Sequence, residues 1–418
     1  MTEAVAAEKI DASTLDQSKI VDIDLGSPET KKKMRELSAA WATGDPFYVL
    51  RDGFVFVLCC RHRDALEVYQ DPERFSTAVP RRPGFEMFDK FMGVRVLTQM
   101  EGEAHARVRR LMNNALAPRS VARIEQAMIA RFDALIDRIE ERGPGGRFDA
   151  MGDYGEHLVS EALLTVMLRL SPTQKEIFLD MHRVIPLITY TGSGHSYPQQ
   201  CIDAFAAARV AINELIEERR ANPGDDLISD LIAARDNDDR LNDEELFDQI
   251  FTLTAGALSG TTLGAGNVMY ALYRHQDAIA EIQAQPELLP AAISECQRWH
   301  SGGYMTFPRF ATRDTEVGGT KILKGMVVRV SPQAAHYDPV AFPDPLRFDI
   351  HRRPRDIAFG YGPHACLGHF LAKSILRNAV SRLLTRLPGA RLENPDIALD
   401  YGGSVGELKI KSLPMLAS

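Results

Sequence analysis

Cysteine and tryptophan are scarce in this chain of 418 residues, which contains five of the first and two of the second. Five thiols are too few, and odd in number, for a disulfide scaffold, so we expect a protein of a reducing cytoplasm. Basic side chains are outnumbered by acidic ones, 49 to 57, which gives a formal net charge of −8. This balance argues against a nucleic-acid-binding protein, because such binding depends on a basic surface.

Long apolar segments are also rare, and the two segments that could indicate export or membrane insertion have the wrong composition. Residues 1–20 are polar and of mixed charge, so we expect a flexible leader rather than a secretory signal. Residues 250–273 carry no charge and are long enough to span a bilayer. They contain four glycines and four threonines and follow an acidic turn, which favours a helix buried in a soluble, cytoplasmic protein.

Hydrophobic periodicity predicts a mainly α-helical protein with small β-sheets. Two apolar runs that flank Asp52-Gly53 have the signature of a hairpin. Across residues 62–300 apolar side chains recur at three- and four-residue spacing, and a final helix is predicted at 367–387. No linker composition interrupts residues 21–418, so we expect a single domain there.

One cysteine, Cys366, lies among three glycines and a proline just before the last predicted helix. This composition predicts a tight loop, and a sulfur near a helix N-terminus is favoured as the thiolate. A thiolate acts either as a nucleophile or as an axial metal ligand, and both alternatives are open at this point. The chain has no Cys-x-x-Cys pair, which argues against zinc and against covalently attached c-type heme.

The loop resembles the heme-binding loop of the cytochrome P450 superfamily at Phe359, Gly362, His364, Cys366 and Gly368. The resemblance implies a P450 fold with a central long helix beside a heme b (iron protoporphyrin IX), and Cys366 as axial ligand of the iron. It also implies that Phe359 shields the sulfur, that His364 binds a heme propionate and that Gly368 contacts the cofactor. A buried, inert cysteine in a glycine-rich turn is the alternative interpretation.

Two charged residues upstream extend the resemblance. Glu295 and Arg298 match the family's Glu-x-x-Arg, and their spacing places them on one face of a helix, where they can pair. By resemblance Arg347 joins them in a buried, charge-paired cluster that braces the heme loop. The resemblance gives this cluster a structural role rather than a catalytic one.

Three basic residues match the family's partners of the heme propionates. His105 and Arg109 are four positions apart on an early predicted helix, which places them side by side. Arg309 matches the third partner, and arginine suits a bidentate contact with a carboxylate. Solvated surface charges are the alternative for each of these residues.

Glycines recur every four residues in the uncharged stretch, at Gly256 and Gly260 and again at Gly264. Each costs about 1 kcal/mol relative to alanine in a helix interior, so another interaction must offset them. We interpret Gly256 and Gly260 as a flat face against the porphyrin that the resemblance implies. Close helix packing is the alternative.

The family's acid and alcohol, which deliver protons to dioxygen, are incomplete in this helix. Two alignments place the acid at Leu258 or Ser259, and neither residue is a carboxylate. The candidate catalytic residues are therefore Ser259, Thr261 and Thr262, with Ser259 or Thr261 as the working alcohol and helix packing as the alternative role. Such departures accompany, in the family, peroxide-driven enzymes, O-demethylases of small aromatic ethers and oxidative couplers of phenols or indoles.

The resemblance places a substrate loop at 76–100, a lid at 189–197 and a distal wall at 303–307 and 402–405. The side chains predicted to line the pocket are Phe85, Phe88, Leu97, Thr189, Leu258, Met305, Thr306 and Val405. These segments suit a small apolar or aromatic substrate.

The resemblance implies a monooxygenase that uses O2 and electrons from a separate ferredoxin and ferredoxin reductase with NAD(P)H, since no electron-transfer domain follows the heme region. We expect a monomer that hydroxylates or O-dealkylates a small molecule, without nucleic-acid or membrane partners. Arg107, Arg110 and Lys373 are candidate cations for docking a ferredoxin, with solvated helix charges as the alternative. The alternative functions are an oxidative coupling enzyme or peroxide-using peroxygenase, and a non-catalytic heme sensor.

Overall fold

The computed structural model describes residues 10–51, 54–78, 96–191, 194–235 and 239–417, with only the backbone at 189–191 and 194–196. The chain forms two compact units. The first contains Met1–Arg82, Asn267–Cys366 and Asp396–Lys411, and the second contains Pro83–Gly266, Leu367–Pro395 and Ser412–Ser418. Each unit is therefore assembled from segments that are distant in the sequence.

A six-stranded sheet is the centre of the first unit. Its strands lie in the order Ile20–Asp22, Phe47–Arg51, Phe54–Cys59, Val327–Val330, Arg309–Ala311 and Phe75–Ser76. The predicted hairpin is confirmed and pairs Tyr48 with Val57 and Val49 with Phe56. Tyr48 and Val57 are buried in one apolar cluster, whereas Val49 and Leu58 are buried in a second one. Because successive side chains point to opposite faces, the sheet has an apolar cluster on each face.

The rest of the first unit surrounds this sheet. Two small sheets pair Thr315–Val317 with Thr320–Ile322 and Tyr401–Gly402 with Lys409–Ile410. The helices are Pro28–Trp41, His62–Gln70, Gln276–Ala284, Leu289–Trp299 and Pro332–Ala335, with 3-10 turns at Ala12–Thr14, Gln17–Lys19, Pro286–Leu288 and Gly362–His364.

The segment predicted as a flexible leader contacts the first unit from residue 10 onward. Leu15 is buried in one of the apolar clusters, and Lys19 Nζ donates to Gly319 O at 2.7 Å. Residues 1–9 lie outside the described part of the chain. The single-domain boundary at residue 21 stays a prediction.

The second unit is mostly helical. Its helices are Gly102–Ala115, Pro118–Glu140, Glu156–Val159, Pro172–Val184, Gln199–Ala221, Leu227–Ala233 and His369–Arg386, with π-helical turns at Ala150–Gly155 and Ser160–Met167 and 3-10 turns at Leu97–Gln99 and Ile185–Leu187. Its strands are Arg147–Asp149, Arg391–Leu392 and Pro414–Leu416 in one sheet, and Thr189–Thr191 with Gly194–Ser196 in another. Arg386 pairs with Asp137 at 2.8 Å, and Tyr154 Oη donates to Ala379 O at 2.9 Å, so the final helix is tied to its neighbours by polar contacts.

The uncharged stretch lies within a helix of 31 residues, Asp243–Tyr273, which we call the long helix. Its start is capped reciprocally, because Glu245 N–H donates to Asn242 Oδ1 and Asn242 N–H donates to Glu245 Oε2, both at 3.0 Å. Among the described residues no helix is both long and apolar enough to cross a membrane. The division between the two units falls in this helix after Gly266. The predicted mainly α-helical fold with small sheets is confirmed.

Candidate functional site

Residues 357–366, called the thiolate loop below, are held by their own backbone. Cys366 N–H donates to Phe359 O at 2.8 Å, and Gly360 N–H donates to Ile357 O at 2.9 Å. Ile357 is buried, whereas Phe359 is only partly covered. These two hydrogen bonds therefore link the Cys366 backbone, through Phe359 and Gly360, to the buried Ile357.

Two glycines of the thiolate loop adopt conformations that other residues rarely do. The φ angles of Gly360 and Gly362 are +70° and +72°, in the left-handed region that favours glycine. A Cβ at Gly362 would also lie 2.5 Å from Tyr69 O, so any side chain would force the loop away from the helix His62–Gln70, which contains Tyr69. Glycine is therefore required at position 362 for both conformation and space.

Cys366 is the one exposed cysteine of the five. Burial raises the pKa of the thiols of Cys59, Cys60, Cys201 and Cys296, which are all enclosed. Metal ligation needs the deprotonated sulfur, so these four side chains are unsuited to it. Cys366 is thus the cysteine best placed to be a thiolate ligand.

Two of the predicted propionate partners form hydrogen bonds with the segment 75–77. Arg309 is buried, and its Nη1 donates to Phe75 O at 3.3 Å, while its guanidinium lies 5.4 Å from the ring centre of Tyr69. The Nε2 atom of His364 shares a hydrogen bond of 3.3 Å with Thr77 Oγ1. Arg309 and His364 are therefore held by two residues, Phe75 and Thr77, that are two positions apart. Two groups that bind one carboxylate-bearing ligand need such an arrangement.

The predicted ion pair of Glu295 and Arg298 is completely buried. Arg298 Nε and Nη2 donate to the two Glu295 carboxylate oxygens at 2.7 and 2.8 Å. The remaining donors reach the carbonyl oxygens of His336 at 3.0 Å, Pro345 at 2.7 Å and Arg347 at 3.2 Å. All polar atoms of the guanidinium are thereby satisfied, which an ion pair away from water requires.

The prediction that the Arg347 side chain joins this cluster is wrong. The Arg347 side chain is 64% exposed and pairs with Asp349 at 2.6 Å, so only its carbonyl oxygen takes part. Arg352 takes the predicted place: its side chain is 14% exposed, and Nε lies 3.4 Å from Glu295 Oε1. The cause is the turn after Pro343, where Arg352 donates to the carbonyl oxygens of residues 343 and 344 and so points inward.

His336 connects the charged cluster of Glu295, Arg298 and Arg352 to the thiolate loop, and no sequence pattern selects it. The imidazole is fully buried, and its Nε2 accepts a hydrogen bond of 3.0 Å from Ile357 N–H, where the loop begins. Its carbonyl oxygen accepts from Arg298. Burial first, and then the cation of Arg298, lowers the pKa of His336 to about 3. His336 is therefore a neutral acceptor that fixes the start of the loop.

The lowered pKa of His336 predicts an acid-dependent loss of stability. An unfolded histidine titrates near pH 6.5, so the stabilisation is complete above that pH and is lost as the pH falls toward 3. His336→Gln, which retains an acceptor, should make the fall in unfolding free energy between pH 6 and 4 shallower by about 1.4 kcal/mol per pH unit. Urea denaturation at several pH values measures this. Equal slopes in the wild-type protein and His336→Gln would contradict the assignment.

In the second unit, His105 and Arg109 lie one turn apart on the helix Gly102–Ala115, as predicted. His105 is buried and Arg109 is half-buried. Arg107, predicted to help dock a ferredoxin, instead pairs with Asp239 at 2.5 Å and Glu245 at 2.7 Å. Those two carboxylates neutralise Arg107, which makes it a poor docking cation.

Two of the four glycines of the long helix, Gly256 and Gly260, have open space beside them in the described part of the chain. Gly256 and Gly260 are exposed although Ala255 and Thr261 beside them are buried, and a Cβ at either position would meet no atom of the described residues within 4 Å. Ser259 is partly covered on the same side of the helix, because it is three residues from Gly256. Thr261 and Thr262 are buried. Of the three predicted catalytic alcohols, Ser259 is therefore the one that shares the glycine face.

The segments predicted to form the distal wall pair with each other within the first unit. Tyr304 N–H and Met305 N–H both donate to Gly406 O, at 2.9 and 3.3 Å. Val405 is 54% exposed at the tip of the same turn. The Thr306 hydroxyl donates to Val330 O at 3.3 Å, so it is engaged in a hydrogen bond with the backbone. The segments 303–306 and 402–406 are thus one structure, which we call the wall.

The remaining predicted pocket and cofactor residues belong to the second unit. Leu97 is buried, and its N–H donates to Gln249 Oε1 at 3.1 Å. Leu258 is also buried, and Thr189 begins a short strand. Gly368 has open space where a Cβ would be, at the start of the helix His369–Arg386. Phe85 and Phe88 lie outside the described residues.

These residues fit the heme that the resemblance implies. An exposed thiol stands at the end of a hydrogen-bonded loop, and a buried arginine and a histidine, side chains that carboxylates prefer as donors, are held by residues two positions apart. Two neighbouring helical glycines leave a flat surface uncovered, which suits a planar ring. A small polar metabolite would need neither the flat surface nor the thiolate.

Comparisons with known proteins agree with this chemistry. The sequence model described as "Cytochrome P450" matches residues 25–388. A steroid C26-monooxygenase of Mycobacterium tuberculosis (strain CDC 1551 / Oshkosh) is 31% identical over 373 residues, which are 88% of this chain and 96% of that protein. Nocardicin C N-oxygenase of Nocardia uniformis subsp. tsuyamanensis is 33% identical over 81% of this chain and 83% of its own length.

Solved structures give the same result. Cytochrome P450 CYP109Q5 from Chondromyces apiculatus superposes with a TM-score of 0.83 at 26% identity, covering 95% of this chain and 98% of that one. The epothilone D-bound cytochrome P450epoK has a TM-score of 0.84 at 23% identity, covering 95% and 99%, and shows the shared fold. With the exposed Cys366 in its loop and a family match over most of its length, the chain belongs to the cytochrome P450 family of heme-thiolate monooxygenases.

Proposed function

We propose that this P450 monooxygenase hydroxylates or O-dealkylates a small apolar or aromatic molecule, with heme b as its cofactor and a separate ferredoxin as its electron donor. The observation that carries the proposal is the exposed thiol of Cys366, the only cysteine of the chain outside the core. The wall supports the substrate class through Val405, an apolar side chain that is 54% exposed.

Heme, when bound, supplies the redox centre at which dioxygen is activated. The sulfur of Cys366 would hold the iron, and the charged Arg309 would hold a propionate that His364 also contacts. Thr77 orients the His364 ring through the 3.3 Å hydrogen bond, and the buried setting of Arg309 strengthens its attraction for a carboxylate. His105, Arg109, Gly256, Gly260 and Gly368 stay predictions of heme contact.

The electron donor is proposed to be a ferredoxin that the surface recognises by charge. P450 monooxygenases need a redox partner, and Arg110 and Lys373 remain exposed cations on helices of the second unit. Arg110 also pairs with Glu103 at 2.9 Å, a surface pair that an incoming acidic protein can displace at little cost. Arg107 is left out because two carboxylates already neutralise it.

The proposal is tested by turnover of the purified holoprotein under isotopically labelled dioxygen with NAD(P)H, ferredoxin reductase and ferredoxin. A panel of small aromatic ethers, phenols and indoles is first screened by the spin-state shift of the heme. Labelled oxygen in the product, or labelled formaldehyde from an O-methyl ether, supports the proposal. Binding of ligands without any turnover would identify a heme sensor and overturn it.

A second candidate, an oxidative coupling enzyme or peroxygenase, is favoured by one observation. The positions where the family carries its acid hold Leu258, which is buried, and Ser259, and neither can supply a carboxylate. Turnover with hydrogen peroxide alone, at a rate equal to or above that with ferredoxin, would support the peroxygenase. Coupled phenols or indoles that carry no label from dioxygen, formed while the dioxygen is reduced to water with the two hydrogen atoms lost by the substrate and two electrons from NAD(P)H, would support the coupling enzyme.

Ser259 is expected to be the alcohol that handles protons, because it lies on the side of the long helix that carries the open glycines. Ser259→Ala should lower coupled turnover about 100-fold, the usual contribution of one positioned proton donor, and divert electrons to peroxide. Thr261→Ala is the matched control, since Thr261 is buried, and it should change turnover less than about twofold. The reverse ranking, or wild-type coupling in both variants, would exclude Ser259 from proton delivery.

A further inference from the structure

Lys31 is a buried lysine in the first turn of the helix Pro28–Trp41. Its side chain points at the turn that carries Val405: Nζ lies 3.2 Å from Gly402 O, 2.8 Å from Gly403 O and 3.2 Å from Ser404 O. An ammonium group has three donors, so each is matched by one carbonyl oxygen. The residue is only 6% exposed.

This position is costly for a cation, which indicates that the contact has a purpose. The N-terminus of a helix carries a partial positive charge and disfavours lysine. Burial lowers the pKa of Lys31, because the charged form loses its hydration. The adjacent Lys32 and Lys33 avoid the loss of hydration, since both are exposed.

The turn at residues 402–406, which Lys31 contacts, is also hydrogen-bonded to the other segment of the wall, residues 303–306. Gly406 O, two residues beyond Ser404, accepts the N–H groups of Tyr304 and Met305. Leu408 N–H donates to Gly302 O at 2.8 Å, which continues the same pairing. Displacement of the turn would therefore move Met305 with it.

A second contact from the same N-terminal segment secures the other half of the wall. Tyr304 is buried, and its Oη donates to Leu25 O at 2.7 Å. At Gly26 a Cβ would lie 3.1 Å from Val405 Cγ2, so this glycine leaves just enough room for the tip of the turn. The segment 25–31 thus touches the wall at three points.

We propose that Lys31 is a positioning residue for substrate selection, which fixes the wall through the three carbonyl oxygens of residues 402–404. The inference rests on the proposed function, because the wall selects substrates only if it lines the pocket of this enzyme. Lys31 touches neither substrate nor cofactor and acts through Val405 and Met305.

The test compares Lys31→Met with Lys33→Met, its exposed neighbour, in the heme-loaded protein. The probes are imidazole and 4-phenylimidazole, which bind heme iron through the same ring nitrogen but differ in the group that the pocket must enclose. We expect Lys31→Met to lower the affinity ratio of 4-phenylimidazole to imidazole about tenfold and Lys33→Met to leave it unchanged. Hydrogen exchange at Met305 and Leu408 should become about tenfold faster in Lys31→Met alone.

The reduced, CO-bound spectrum of each variant is recorded first, so that loss of the thiolate site is separated from loss of wall geometry. If Lys31→Met does not load heme, Lys31→Gln, which keeps two N–H donors, replaces it. An unchanged affinity ratio in a variant with a normal spectrum would overturn the inference while leaving the proposed function intact. If the wild-type protein bound neither azole, the pocket and the inference would both be wrong.

Discussion

Replacement of Cys366 by serine should abolish the thiolate-type absorption band of the reduced, CO-bound protein and bring monooxygenase turnover to background. Sulfur donates electron density to iron that a serine oxygen does not, and the electron push is what favours cleavage of the O–O bond. Because the Cys366 side chain is exposed, its loss leaves no cavity in the core. The loop backbone should also persist, since the bond from the residue 366 N–H to Phe359 O does not involve the side chain.

Cys201→Ala is the control for this experiment. Cys201 is buried and donates to Val184 O at 3.3 Å, so its replacement should cost stability without changing the spectrum. Thermal unfolding of both variants separates the two effects. A thiolate-type band that survived in Cys366→Ser would show that another sulfur holds the iron, against the burial of the remaining four.

Arg298→Met should lower the free energy of unfolding by about 3–5 kcal/mol, the second large effect that we expect. The substitution leaves the buried Glu295 carboxylate with Asp349 N–H at 3.0 Å and Arg352 at 3.4 Å as its partners. It also removes the donors of three carbonyl oxygens, including that of His336. Because His336 holds the start of the thiolate loop, heme content should fall together with stability.

Two neighbouring arginines serve as matched controls. Arg347→Met should leave unfolding and heme content unchanged, because its guanidinium is exposed and its ion pair with Asp349 lies at the surface. Arg352→Met should be intermediate, with a loss of about 1–3 kcal/mol, because it removes two hydrogen bonds to carbonyl oxygens and a contact with Glu295. Chemical denaturation with heme absorbance as a second probe measures all three variants. Equal losses in Arg298→Met and Arg347→Met would contradict this account of the cluster.

The thiolate loop was predictable from the sequence because its requirements are local. Gly362 needs a left-handed conformation and has no room for a side chain, so few residues other than glycine are compatible with that position. Likewise, the spacing of Glu295 and Arg298 on one helix predicts their pairing directly. When two interacting residues lie within one helical turn of each other, their spacing in the sequence predicts the contact.

The choice between Arg347 and Arg352 was not predictable in the same way. Both follow the same proline-rich turn, five residues apart, and the direction of each depends on how that turn packs. The carbonyl oxygens of residues 343 and 344 attract Arg352 inward, whereas Asp349 is near enough to retain Arg347 at the surface. Backbone acceptors have no sequence signature, so this difference appears only in three dimensions.

The roles of Lys31 and His336 could not be predicted from the sequence, for a related reason. A run of three lysines usually indicates a solvated helix, and the partners of Lys31 are carbonyl oxygens about 370 positions away. The acceptor role of His336 depends on a backbone N–H 21 positions along the chain. In both cases a side chain binds main-chain atoms of a distant segment, which the identities of those residues do not reveal.

The contacts of Glu295 and Arg298 also determine when the protein can bind its cofactor during synthesis and folding. Glu295 and Arg298 contact backbone atoms 38 to 54 positions further along the chain. Helices of the second unit can form as soon as their residues leave the ribosome, but these contacts require a long loop to close, which is slow. A nascent chain that ends before residue 349 therefore lacks the amide that completes the Glu295 site. Cofactor capture should accordingly wait for the synthesis of residues 336–366 rather than follow the onset of helical structure.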